Sequence, residues 1–244
     1  MRLRLIVLSL AFLILVSGSA QLAQAAETVN LISGEMKGGY YERRGKTFSG
    51  VYPDLFREAA GQSNVSVDFS LVPWARAVAT SKRSDNVLIF PLARKPDREK
   101  QFTWLVPLVS ETVCFSSAGT PVNSIDEARA RKRVLGWLGS STFEYLQAQN
   151  FKNLIKVTNT AKIIRILNAD KDALFYYYCD QMQSFVDPGK EQIRLNVGKP
   201  VYAEESWLAG GLKLKLTDEI SRFAKTLKTL GKEGMLDRAI EKLK

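Results

Sequence analysis

The chain has 244 residues, with 35 lysines and arginines against 25 acids, a net charge of +10 and no histidine. The missing imidazole excludes a Ser-His-Asp triad, a histidine general base and any histidine-ligated metal. At 45% apolar residues the composition is that of an ordinary globular chain, and its positive balance admits anionic partners without specifying one.

Met1-Arg2-Leu3-Arg4 precedes an apolar run from Leu5 to Val16 and a small-residue site at Ala23-Gln24-Ala25. This pattern predicts a signal peptide over residues 1–25, cleaved near Ala25, and a periplasmic protein. The apolar run is too short to span a bilayer comfortably. Its removal leaves 219 residues, enough for one large domain or two small ones, and 33 basic against 25 acidic residues. Export, and the lack of a recognisable motif, argue against a nucleic-acid partner. Cys114 and Cys179 both fall in the exported part, where an oxidising compartment permits a disulfide. Two separate buried thiols are the alternative, because pairing depends on a Cα separation that a sequence does not show. Neither cysteine has a Cys-x-x-Cys neighbour, which leaves redox or zinc chemistry unsupported.

Val29 to Ser33 reads as a first strand, followed by a Gly-Gly turn carrying Tyr40 and Tyr41. A helix with Pro53 in its first turn buries Leu55, Phe56, Ala59 and Ala60, and Gly61 is expected to stop it. Val65 to Leu71 alternates as a strand should, and Pro73 opens a helix with Trp74, Ala77 and Val78. The apolar run Val87-Leu88-Ile89-Phe90 predicts a buried strand. The loop after it packs Arg94, Lys95, Arg98 and Lys100 into seven residues before Phe102, Trp104 and Pro107. Open α/β sheets place ligand contacts just past the carboxyl ends of strands, so Arg98 is a candidate clamp for an acid group. On charge alone, a solvated basic turn explains the same residues.

An extended stretch over Val109 to Phe115 leads to a helix opened by Ser124 with Glu127 three residues on, a capping box. Val134 to Leu138 is a strand that feeds Gly139-Ser140-Ser141-Thr142, where Ser141 and Glu144 predict a second capping box. Free amides and a positive dipole end at such a helix start suit a carboxylate, although Ser141 acting only as a cap explains it equally. Short strands are expected at Ile155 to Val157, Asp172 to Tyr178, Ile193 to Val197 and Trp207 to Leu212. Ile163, Ile164 and Leu167 form a helical stripe, and Met182, Phe185 and Val186 form another. Two helices close the chain, the first stopping at Gly231. Strand–helix units recur before and after about Pro107, which predicts an α/β fold with two similar lobes.

The order of these pieces resembles the bacterial extracellular solute-binding proteins of family 3, the periplasmic polar amino-acid receptors of ABC importers. The resemblance rests on Gly50-x-x-x-Asp54-Leu55, on Arg98-Glu99 followed by an aromatic and Pro107, on the Gly139-Ser-Ser-Thr helix start, and on Leu230-Gly231-Lys232-Glu233-Gly234-Met235-Leu236. It implies a type II periplasmic-binding-protein-like fold, two α/β lobes joined by two crossing strands. Residues 26–108 and 208–244 would form lobe one and residues 109–207 lobe two, with a ligand in the cleft between them. It implies Arg98, with Arg94 as rival, as the carboxylate clamp, and Ser140, Ser141 and Thr142 as the opposing cradle. Tyr40 or Tyr41 matches the aromatic wall, and Trp74 and Arg76 match further pocket positions. Tyr177 stands where the family carries the acid for a ligand ammonium, and Asp180 is a substitute; alternate residues of the Tyr176-Tyr177-Tyr178 run must face opposite sides. The implied protein is a monomer that hands a small polar or acidic solute to an importer permease, with no cofactor, no metal and no catalytic step. The alternatives are an enzyme resembling the exported cyclohexadienyl dehydratases, with Glu42, Asp180 or Glu205 as cleft acids, and a sensing module that acts through a membrane partner.

Overall fold

A computed structural model describes residues 27–34, 36, 39–185 and 193–243. The expected signal peptide and Val186 lie outside the described residues. One mixed sheet runs through the molecule. At one end the strands β1 (Thr28–Ser33), β4 (Ser66–Leu71) and β5 (Val87–Ala93) pair in parallel, with β1 in the middle. At the other end β7 (Val134–Trp137) pairs in parallel with β8 (Leu154–Val157) and β9 (Leu174–Tyr178). Between them lie two long antiparallel strands, β6 (Phe102–Ser117) and β11 (Tyr202–Gly211). β11 bonds β5 on one side, and β6 bonds β9 on the other. A hairpin of β2 (Glu42–Arg44) and β3 (Thr47–Ser49) stands apart, and the short β10 (Asn196–Val197) pairs with β6.

Helices α1 (Val51–Ser63), α2 (Trp74–Arg83), α6 (Asp218–Lys232) and α7 (Met235–Glu241) pack around the first group of strands. Helix α2 packs Ala77 in a separate cluster with Ile32, Ile89 and Leu92, whereas the apolar stripes of α1, α6 and α7 meet in one core in which Phe56, Phe90, Tyr41 and Tyr52 are fully buried, with Phe56 and Phe90 edge to face at 4.7 Å. Truncating such a ring to alanine costs about 3–5 kcal/mol. Helices α4 (Ser141–Ala148) and α5 (Thr160–Ala169) pack on the second group, with the short α3 (Ile125–Arg129) beside them. That half is stapled by a disulfide between Cys114 on β6 and Cys179, the first residue of a 3₁₀ turn over Cys179–Phe185, with Cα atoms 5.0 Å apart.

Most expected elements are present, and their edges moved for local reasons. Gly61 does not stop α1; the helix continues to Ser63 and ends on Asn64 in the left-handed conformation, φ 54°. Gly50 caps its start with φ 119°, and a Cβ there would lie 2.5 Å from the Tyr40 carbonyl oxygen, so only glycine fits. The stretch at Val109 to Phe115 is extended as expected and lies within β6, which starts earlier, at Phe102. The helix expected around Met182 and Phe185 is the tighter 3₁₀ turn, and the strand before it begins at Leu174. Pro91 lies in a central strand, which its missing N–H would normally forbid. It is tolerated because the β5–β11 register shifts between Leu92 and Ile89, opposite Trp207 and Ala209.

Candidate functional site

The parallel strands of both groups end at one place. Gly34 follows β1, Pro91 and Ala93 close β5, Trp137 closes β7, and Tyr177 and Tyr178 close β9; all six line one cavity. Trp74 from the start of α2 and Ser140 and Ser141 from the start of α4 complete its wall. A second opening continues from it past Pro73, Ala75 and Leu138 to Asn159, sharing Gly34, Trp74 and Trp137. The cavity lies where carboxyl ends of strands face one another, the usual place for a ligand in an open α/β sheet. No charged side chain lines its inner part.

The helix start after β7 is built for close approach. Gly139 has φ 80°, and its carbonyl accepts a hydrogen bond of 2.8 Å from Trp74 Nε1 across the cleft. The N-cap of α4 is Ser140 and not Ser141: the Ser140 hydroxyl accepts from Phe143 N at 3.1 Å and donates to the Trp137 carbonyl at 2.7 Å. Thr142 is buried, with its hydroxyl 2.8 Å from that of Ser140. Released from capping, Ser141 donates to Glu204 Oε1 on β11 at 2.5 Å. Tyr178 donates to the same oxygen at 2.6 Å. Burial first, then the carboxylates of Glu204 and Glu111, push the Tyr178 phenol well above its ordinary range, so it keeps the proton that it donates. Glu204 is 6% exposed, and its Oε2 is buried with no hydrogen-bond partner among the described residues.

Arg98 is 5% exposed and reaches the second helix start, but as a partner of protein carboxylate. Its Nη2 lies 2.9 Å from Glu144 Oε2 on α4, and Lys95 Nζ lies 2.5 Å from the same oxygen. Glu144 therefore has a different duty from the capping box expected of it. With the Trp74–Gly139 bond, these contacts bridge the two strand groups over the cavity.

The other expected residues separate. Arg94 is removed from the cavity: it binds Glu99 through two hydrogen bonds and lies against the rings of Trp104 and Trp207, 5.4 and 4.5 Å from their centroids. Tyr41 belongs to the core, stacked on Phe48 at 5.6 Å. Tyr40 lines a different, smaller cavity with Glu111, Tyr178 and Asp180, and burial pushes its phenol up to about 12. Arg76 is exposed on α2 and is not among the lining residues. Tyr176 is buried in the core against Phe115, whereas its neighbours Tyr177 and Tyr178 both reach the cavity because the strand ends there and turns. Trp137 and Glu204 were not singled out from the sequence; Tyr178 was named only within a run of three tyrosines, and Glu144 only as a capping residue. Trp137 and Tyr178 had a local signal, an aromatic at the carboxyl end of a strand; Glu204 had none, and the signal at Glu144 pointed to a cap and not to Arg98.

The architecture is a type II periplasmic-binding-protein-like pair of α/β lobes joined by two crossing strands. Three solved structures illustrate the likeness. A histidine kinase sensor domain with similarity to periplasmic binding proteins superposes with TM-score 0.76 at 17% identity, covering 90% of this chain and 96% of that one. An amino acid ABC transporter substrate-binding protein of Streptococcus pneumoniae bound to L-arginine gives 0.71 at 16% identity, covering 88% and 94%. The AvGluR1 ligand binding domain in complex with glutamate gives 0.73 at 12% identity, covering 89% and 95%. No protein-family model matches the chain, and no curated protein sequence matches it.

Proposed function

We propose that this chain is an exported, non-catalytic receptor that traps a small polar solute between its two lobes and presents the closed form to an ABC importer permease. The observation that carries this is the cavity at the meeting of the strand ends, walled from one lobe by Trp74, Pro91 and Ala93 and from the other by Trp137, Ser141 and Tyr177. A ligand held by both walls makes closure part of binding, and closure is what a membrane partner can read. The arginine and glutamate in the similar structures support small amino-acid-like solutes as the size class. The lobe boundaries follow as proposed from the sequence, with residues 26–108 and 208–244 in one lobe and 109–207 in the other.

A carboxylate on such a solute would meet Arg98 only by displacing Glu144. That competitor is tethered to the same chain, at an effective concentration on the order of millimolar or more. Weak carboxylate ligands would therefore lose to it. A sensing role, supported by the likeness to the histidine kinase sensor domain, uses the same cavity and closure with a different membrane partner.

A thermal-shift screen of amino acids, amines and organic acids tests the receptor function. A solute that binds only the folded state raises the melting temperature, by about 2.7 kcal/mol of added stability at a hundred times its Kd. At least one saturable shift is expected, and it should disappear in Trp137→Ala. A shift that survives Trp137→Ala would place binding elsewhere.

A further inference from the structure

We infer that the solute carries an alkylated ammonium group, held among the faces of Trp74, Trp137, Tyr177 and Tyr178 with Glu204 as its fixed counter-charge. This rests on the receptor function proposed above and names its ligand class. Four aromatic side chains line the cavity, and no lysine, arginine, aspartate or glutamate does. Aromatic faces attract cations through the ring quadrupole, most strongly where water is excluded. A negative charge stands just behind the wall. Ser141 and Tyr178 both line the cavity, and both donate to Glu204 Oε1, while Glu204 Oε2 is buried with no hydrogen-bond partner among the described residues. A second acid, Glu111, is the cross-strand neighbour of Glu204. Neither glutamate forms an ion pair with a lysine or arginine among the described residues, although the chain as a whole is basic. A buried carboxylate without a counter-ion is costly, and a cation in the adjoining cavity offsets that cost.

The head group follows from hydrogen-bond accounting. A primary ammonium has three N–H donors and needs acceptors for them when it is buried. The Ser140 hydroxyl already donates to the Trp137 carbonyl and accepts from Phe143 N, and the Gly139 carbonyl accepts from Trp74, whereas the Ser141 hydroxyl donates to Glu204 and keeps its lone pairs, enough for one or two of those N–H groups but not for three. An alkylated ammonium has few donors or none, and asks only for ring faces and a negative charge at a short distance. Its methyl groups also match the apolar walls of Met36, Pro91 and Ala93.

The test is calorimetric titration of the full chain with choline and tetramethylammonium, each beside the neutral isostere that has carbon in place of nitrogen, and with acetate and glutamate as carboxylates. At least one cation should bind at least tenfold more tightly than its isostere. Glu204→Gln, which keeps the shape and an acceptor for Ser141 and Tyr178, should weaken that cation at least tenfold while the neutral isostere is unchanged; circular dichroism checks the fold. Equal binding of cation and isostere, or an unchanged cation affinity in Glu204→Gln, overturns the inference. Binding of the carboxylates alone also overturns it but leaves the receptor function standing. If no solute of any charge binds here or in the melting screen, the receptor function falls with it.

Discussion

Glu111 on β6 and Glu204 on β11 are direct cross-strand partners in the two strands that join the lobes. Side chains directly opposite on antiparallel strands share one face of the sheet, so two carboxyl groups are brought close where the molecule would hinge. Ser206 and Gln181 donate to Glu111 at 2.8 Å each, and Ser141 and Tyr178 donate to Glu204. Neutral donors thus satisfy much of the pair without neutralising it.

Stability should therefore fall as pH rises through neutrality. Burial first, and the nearby carboxylates of Glu204 and Asp180, push Glu111 up to about 7, against the lowering effect of the Ser206 and Gln181 hydrogen bonds. Its unfolded value is near 4.3, so between the two the folded state binds more proton than the unfolded one. The stabilisation is complete below about pH 4 and is lost as pH passes through 7. The whole shift corresponds to about 4 kcal/mol at most, and less because the Glu111 residue is only partly buried. Melting temperature measured from pH 5 to pH 8 should drop by several degrees, and Glu111→Gln should remove most of that drop. An identical slope in the variant would assign the effect to other groups.

Glu144→Gln should loosen the closed form. Arg98 is buried against that carboxylate, and losing its counter-charge in the closed state costs on the order of 1–3 kcal/mol. Opening the lobes returns the guanidinium to water and relieves the cost. The variant should therefore show a larger radius of gyration by small-angle scattering, with little loss of helix content. An unchanged radius would mean that Trp74 and the hinge strands hold the lobes without the ion pair.

Freeing Arg98 has a second consequence. Glutamate and other carboxylates should bind Glu144→Gln more tightly than the natural chain, by about tenfold if the tethered competitor is the barrier. Adding Arg98→Lys should abolish that gain, because lysine lacks the planar fork that grips two carboxylate oxygens. If the gain survives the lysine, the carboxylate contacts some other group.

The Cys114–Cys179 bridge closes a loop of 65 residues, for which chain entropy gives a stabilisation of about 4 kcal/mol. It also ties the corner carrying Tyr177 and Tyr178 to β6. Replacing both cysteines by serine should lower the melting temperature by about 5–15 °C in a chain of this size. Solute affinity should fall as well, because the tyrosine corner is less well positioned. Loss of stability with unchanged affinity would separate the bridge from the site.

How far the sequence reaches depends on the range of the physics. Periodicity and turn chemistry are local, so the buried strand at Val87–Ala93, the Ser124 cap and the two closing helices were legible. Arg98 was singled out by its place after a buried strand and by family resemblance, because a charge cluster by itself reads as surface. The pairing of Glu144 with Arg98 and the whole role of Glu204 were illegible: their partners lie 46 and 63 residues away, so Glu144 read only as a cap and Glu204 as any exposed glutamate. The cap was misplaced by one residue at Ser140-Ser141, where two hydroxyls compete and the choice is made by Glu204 taking the second. Tyr40 and Tyr41 were a matched pair in sequence; both are buried in the first core, and what separates them is that Tyr41 stacks on Phe48 whereas Tyr40 also borders the small cavity with Glu111 and Asp180.

The most direct measurement is a crystal structure of the chain with the solute that the melting screen selects. The account predicts density for that solute enclosed between Trp74 and Trp137, within contact of Ser141 and Tyr177, with the lobes shut over it. Density on the outer surface, or in the separate cavity beside Tyr40 and Asp180 with the aromatic cavity empty, would contradict it.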